Sequence, residues 1–167
     1  MNQVSYTPIG VIHSPFKEPK NVPIQAAASK GIQGTIEMNS EFAEGVEDLD
    51  GFSHLILLYH FNLVKGFSLK AKPFLDDALR GVFASRSPAR PNPIGISIVR
   101  VRKIENKTLH IEDVDIIDGT PLLDIKPCVP KFDYRRTTQI GWYNDKLGKL
   151  RKARDDDRFC QVQKSRV

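Results

Sequence analysis

Cysteine is scarce in this chain: 167 residues contain only Cys128 and Cys160. Two thiols so far apart form neither a disulfide framework nor a cysteine-based zinc site, and they fit a reduced, intracellular compartment. No apolar run reaches the roughly 20 residues that a membrane-crossing helix needs. Residues 1–10 lack the basic-then-apolar order of a signal peptide. No G-x-G-x-x-G follows a first strand, which removes support for a Rossmann nucleotide site. A Walker loop, a serine nucleophile elbow and a His-Glu-x-x-His are missing too, so nothing spells out covalent catalysis. Internal repeats and low-complexity tracts are also lacking. These absences lead us to expect a cytoplasmic protein without a membrane partner.

What is present suits one domain with a real core. The formal net charge is +5 and the sequence pI about 9.2, which favours a polyanion or an anionic ligand. Short apolar segments punctuated by Gly and Pro predict strands over residues 4–12, 34–38, 52–61, 96–104, 108–112, 114–117 and 122–129. The run F-S-H-L-I-L-L-Y-H-F (52–61) is almost continuously apolar and reads as buried on both faces. Asn106-Lys107 reads as a hairpin turn, and Pro127 places its segment near a sheet edge. The alanine triplet 26–28, residues 41–45 and residues 73–79 read as short turns of helix. Only the tail reads as a longer helix, capped by Asn144 and running to about Arg154, with Leu147 and Leu150 on one face. The fold class is therefore mainly β: a single small β-barrel with short helical turns and a C-terminal helix, over a doubly wound fold.

The stretch A-S-R-S-P-A-R-P-N-P-I-G (84–95) stands apart. Pro88, Pro91 and Pro93 remove backbone donors and fix φ, so it is neither helix nor central strand. Its stiffness sheds conformational entropy before any ligand arrives, and Arg86 and Arg90 offer fork donors for phosphate or carboxylate. His54 and His60 share a strand face, but no third ligand stands near them at metal-binding spacing, so no metal is expected. Glu112, Asp113, Asp115, Asp118 and Asp124 form an acidic cluster that suits either turns and solvated faces or acid–base work. Within it, Asp118-Gly119-Thr120-Pro121 combines a carboxylate, a hydroxyl and a glycine amide, a set able to hold ribose hydroxyls or an amino-acid ligand. The run Asp155-Asp156-Asp157 among basic residues reads as a solvated helix end.

Four segments resemble the TrmO family of tRNA methyltransferases: P-I-G-V-I-H-S-P-F (8–16), D-L-D-G-F-S-H-L-I-L-L-Y-H-F (48–61), G-V-F-A-S-R-S-P-A-R-P-N-P-I-G (81–95) and I-I-D-G-T-P-L-L-D-I-K-P (116–127). The resemblance implies a small β-barrel enzyme that uses S-adenosylmethionine to methylate N6 of threonylcarbamoyladenosine beside the tRNA anticodon. It places cofactor contacts on Pro23, Ile24, Gln25, His60, Phe61, Arg86, Ile96, Asp118, Gly119, Thr120 and Pro121, and implies a homodimer. Ile24 stands where many bacterial members carry Arg, and Phe61 where some carry a polar residue. The chain looks like a short form without the extra C-terminal domain of longer members.

In this reading the proline loop separates a cofactor cleft from an RNA surface, with Arg86 toward the cofactor and Arg90, Asn92 and Arg100 toward tRNA. Methyl transfer from a sulfonium needs alignment more than covalent help. Asp118 and His60 are the first candidates to take or polarise the N6 proton. Residues 1–141 would form the barrel domain and residues 142–167 a basic tail that docks by Trp142, Leu147 and Leu150. Two alternatives stay open: a non-catalytic RNA-binding barrel, and a methyltransferase with a different acceptor.

Overall fold

The computed structural model describes residues 3–160 and has eight strands, six of which fall on expected apolar segments. They are β1 (Gly10–His13), β2 (Gln33–Met38), β3 (His54–His60), β4 (Lys70–Ala71), β5 (Arg80–Gly81), β6 (Ile94–Glu105), β7 (Thr108–Glu112) and β8 (Thr120–Pro127). Six of them close a barrel in the order β1-β2-β7-β6-β3-β8, and β4 with β5 forms a separate two-stranded ribbon. Every barrel pairing is antiparallel.

Side-chain alternation explains the closure. Inward positions carry Ile12, Ile36, Leu55, Leu57, Val99 and Leu109, each fully buried. Register shifts in β3 against β8, between Leu58 and Tyr59, and in β6 against β7, between Val101 and Lys103, supply curvature. Asn106 takes φ 53° at the tip of the β6–β7 hairpin, the conformation that its short polar side chain tolerates. At the upper end of β6, a Cβ on Gly95 would lie 2.2 Å from the Tyr59 ring. Only glycine lets that ring lie across the strand, and the ring position decides where the Tyr59 hydroxyl goes.

Several expected elements differ. The first strand is confined to residues 10–13. β3 buries Leu55, Leu57 and Tyr59, while His54, Ile56, Leu58 and His60 stay half-buried on the outer face, so it is not buried on both sides. β8 is no edge strand: β1 pairs with one side and β3 with the other, and Pro127 closes its end. Residues 73–79 form turns without a helix. Residues 114–117 are loop although they alternate like a strand; Asp113 at φ 68° and Gly119 at φ 76° turn the chain at both ends.

The alanine triplet forms a 3-10 turn, Ala26–Ala28, as expected, and another spans Ser40–Val46. The tail helix is a 3-10 segment, Leu147–Lys152, rather than an α-helix starting at Asn144. Three residues per turn keep Leu147 and Leu150 on one face, and Gly148 weakens the α alternative. Among the described residues no helix is long and apolar enough to cross a membrane.

Candidate functional site

A cleft of about 730 Å³ opens beside the upper end of β6. Its walls are the loop at residues 22–27, the outer and inner positions of residues 94–98, the proline loop, residues 113–120 and the tail. That volume falls within the range of small-molecule sites, and the lining is largely apolar with a few polar groups.

The tail is a wall because backbone bonds hold it. The Asn21 amide donates to the Asp155 carbonyl and the Asp155 amide to the Val22 carbonyl, each at 2.8 Å. Trp142 Nε1 donates to the Ala84 carbonyl at 2.8 Å, which ties the tail to the start of the proline loop. Phe159 packs edge-on against Phe74, with ring centroids 5.1 Å apart. The tail thus places Trp142, Tyr143, Leu147 and Leu150 along the cleft and leaves Lys149, Arg151 and Lys152 exposed.

On the proline loop, Arg86 Nη1 donates to Gln25 Oε1 at 2.7 Å, and Gln25 Nε2 donates to the Ile24 carbonyl at 2.6 Å. The next residue, Ser87, is 5% exposed, lines the cleft, and its hydroxyl has no hydrogen-bond partner among the described residues. A buried hydroxyl left unpaired costs on the order of 1–3 kcal/mol, which a bound ligand can repay.

Asp115 lies on the opposite wall. Ser97 Oγ donates to Asp115 Oδ1 at 2.6 Å, and Tyr59 Oη lies 3.0 Å from the same Ser97 oxygen. The single Ser97 proton goes to the carboxylate, so Tyr59 must be the donor into Ser97. Burial pushes Asp115 up to about 6, against the lowering effects of Ser97, the Asp115 and Ala26 amides and the Arg86 charge. Burial, reinforced by the Asp115 charge, also raises the Tyr59 phenol and keeps it a neutral donor. On the tail side, burial lifts Asp155 to about 6 as well.

The residues expected from sequence divide into two groups. Pro23, Ile24, Gln25, Phe61, Arg86, Arg90, Ile96 and Thr120 all line the cleft. His60, Asn92, Arg100, Asp118, Gly119 and Pro121 do not. Asp118 instead accepts from Lys17 Nζ at 2.9 Å and the Ser14 amide at 3.1 Å, with His13 Nδ1 at 3.3 Å. Lys17 holds its carboxyl below the usual carboxylate range, which makes it a weak proton acceptor. His60 ends β3 on the outer face. Arg100 lies 3.7 Å from Asp113 and keeps its Nε buried without a hydrogen-bond partner among the described residues. Among the described residues, no three His, Cys, Asp or Glu side chains converge as a metal centre.

Sequence reasoning passed over Ser87, Ser97 and Tyr59, and treated Asp115 only as one member of an acidic cluster. One signal did exist: Asp115 sits between Val114 and Ile116, both buried, so its carboxylate must emerge from a core-forming segment.

Comparison with known proteins adds independent information. Residues 11–134 match the family described as the tRNA-methyltransferase O N-terminal domain. A probable S-adenosyl-L-methionine-binding protein of Pyrococcus abyssi is 58% identical over 95% of this chain and 86% of its own length. The tRNA (adenine(37)-N6)-methyltransferase of Escherichia coli is 36% identical over 78% of this chain and 60% of its own length. The crystal structure of TrmO from Pseudomonas aeruginosa superposes with TM-score 0.71 at 36% identity, over 84% of this chain and 63% of that one. The chain therefore spans less than two thirds of the length of the last two.

Proposed function

The chain belongs to the tRNA-methyltransferase O family, and from that premise we propose that it methylates N6 of threonylcarbamoyladenosine beside the tRNA anticodon. S-adenosylmethionine supplies an electrophilic methyl group on a sulfonium. The observation that carries the reading is the cleft: a concave apolar site holds the Arg86–Gln25 pair on one wall and the unpartnered Ser87 hydroxyl beside it. A methyl donor with an amino-acid end and a nucleoside end suits such a lining. Arg86 receives the carboxylate, while Pro23, Ile24, Phe61 and Ile96 pack against the apolar parts. Ile117 and Thr120 line the cleft on either side of the Asp118–Gly119 turn, and Phe61 lines it beside His60, so a ligand that extends past these lining residues would meet the turn, Pro121 and His60.

The residues of the chain act by alignment. The proline loop and the tail hold the cleft walls before any ligand enters, which lowers the ordering cost of binding. Arg90, Asn92 and Arg100, with exposed tail cations, meet the tRNA backbone. A second copy covers the outer face of β3 and β6, where Ile94, Ile96 and Ile98 are 36–49% exposed. Ile56 and Leu58 pair with Ile98 and Ile96 to extend that apolar stripe, which is continuous with the cleft. Residues 1–141 serve as the barrel domain and residues 142–167 as its tail, of which 161–167 lie outside the described residues. The site of action is the cytoplasm, where tRNA is found.

Incubation of the protein with tRNA and isotope-labelled S-adenosylmethionine, followed by mass spectrometry of the nucleosides, tests the reading. The expected product is labelled N6-methyl-threonylcarbamoyladenosine, formed with a chelator present. Cofactor binding with label on another nucleoside would move the acceptor. RNA binding without any cofactor affinity would favour a non-catalytic barrel.

A further inference from the structure

Methylation of N6 exchanges a proton for a methyl group, so something must accept that proton. An N6 that already carries a carbamoyl group is a poor nucleophile while protonated, because its lone pair is delocalised. The acceptor must line the cleft, be ionised near neutrality and be held still. Asp118 does not line the cleft. Asp113 lines it, but Gly31 donates to its Oδ1 at 2.7 Å and Arg100 lies against its Oδ2. Asp115 lines it with Ser97 and Tyr59 stacked behind, so its position is set from inside the barrel.

We propose that Asp115 is the proton acceptor of the methyl transfer, and that Ser97 is its positioning residue, with Tyr59 donating into Ser97. The proposal rests on the function proposed above. As the bond between N6 and the methyl carbon forms and the sulfur–methyl bond breaks, the N6 proton passes to the Asp115 carboxylate and from there to water. The groups that face Asp115 are Ser97 from β6, neutral Tyr59 from β3, the Ala26 amide from the loop at residues 22–27 and the Arg86 guanidinium from the proline loop. Burial places its proton affinity close to the optimum for a base working near neutral pH, and the Ser97 hydrogen bond, backbone amides and the Arg86 charge stop it from rising further. Asp118, three residues on, lacks this burial.

The test uses the full chain with tRNA and S-adenosylmethionine, comparing wild type, Asp115→Asn, Ser97→Ala and Asp155→Asn. Calorimetry reports cofactor affinity, and single-turnover rates from about pH 5 to 9 report chemistry. Asp115→Asn should keep cofactor affinity within about threefold, lose about 100- to 10,000-fold in rate, and lose the acid limb of the pH profile. Ser97→Ala should keep the limb but move it to higher pH, because the lost hydrogen bond had lowered the Asp115 value. This shift, measurable even if Asp115→Asn fails to fold, is one that a merely structural role would not produce.

A more than tenfold loss of cofactor affinity in Asp115→Asn, with an unchanged saturated rate, would instead make it a binding group and overturn the proposal. So would an acid limb that survives Asp115→Asn and vanishes in Asp155→Asn, or one unmoved by Ser97→Ala. Absence of methylation by the wild type removes the function and this proposal together. A wild-type reaction that Asp115→Asn matches removes this proposal alone.

Discussion

Asp115 and Asp118 occupy the two ends of one short loop, yet their surroundings drive them in opposite directions. Asp115 is turned toward the barrel, accepts from Ser97 and is raised to about 6 by burial. Asp118 is turned toward β1, accepts from Lys17 and the Ser14 amide, and is held low. Residue type is the same and the sequence context is nearly so. The lesson is that desolvation and the nearest charge assign the role of a carboxylate, and both are set by residues distant in the chain.

The strongest way to break the comparison is to remove the ionisable group at the buried end. Asp115 binds its proton more tightly folded than its ordinary value of 3.8, so stability is highest below that value and falls as pH rises toward about 6. The rise from 3.8 to about 6 corresponds to at most about 3 kcal/mol. Urea unfolding at pH 4 and pH 8 should therefore show a gap between wild type and Asp115→Asn that opens at high pH, with the variant the more stable. Asp118 has the opposite sign: its contribution is present above the usual carboxylate range and is lost as pH falls. An Asp115→Asn variant less stable at pH 8 would refute the buried, destabilised carboxylate.

Gly95→Ala attacks the same end from behind. The new Cβ must displace the Tyr59 ring, which it would otherwise meet at 2.2 Å, and Tyr59 is a core residue. The cost should be about 1–3 kcal/mol, read as a lower melting temperature, with the Tyr59 donor to Ser97 disturbed. An unchanged melting temperature would show that the ring has room to move.

Arg86→Ala sharpens the contrast through charge. It removes the donor to Gln25 and the cation that lowers Asp115. Cofactor affinity should fall about tenfold, about 1.4 kcal/mol, and the acid limb should move to higher pH. Arg90→Ala should spare both and flatten the salt dependence of tRNA binding. Equal effects of the two variants on cofactor affinity would collapse the assigned division of roles.

The smallest effect belongs to the open end. Lys17 is 71% exposed, so its pair with Asp118 is a surface salt bridge, and Lys17→Ala should cost less than about 1 kcal/mol in urea unfolding at pH 7. A larger loss would mean that the two ends are less different than their environments indicate.

Much of the architecture was legible in the chain itself. Short apolar segments punctuated by Gly and Pro marked β2, β6 and β7, the Asn106 turn marked the β6–β7 hairpin, and the prolines of residues 88–93 marked a loop that is neither helix nor strand. The same pattern misread residues 114–117, because an apolar segment reports which side chains are buried and is blind to a residue such as Asp113 that turns the backbone at positive φ. At the candidate site, the segments that surround the cleft were visible as motifs. The different surroundings of Asp115 and Asp118 were only partly readable from sequence, since Lys17, Ser97, Tyr59 and Arg86 lie outside the loop in the chain.

The sequence by itself determined the local preferences: which residues pair as strands, where the chain turns, and which loop is stiff and basic. Those follow from φ restrictions, side-chain branching and alternation, all of which act within a few residues. Only the tertiary structure decided that the barrel closes without an edge at β8, and that the tail lies along the cleft through Asp155 and Trp142. It alone decided which of two aspartates three residues apart is desolvated. Closure, docking and desolvation depend on groups brought together from distant parts of the chain, and no short-range rule carries that information.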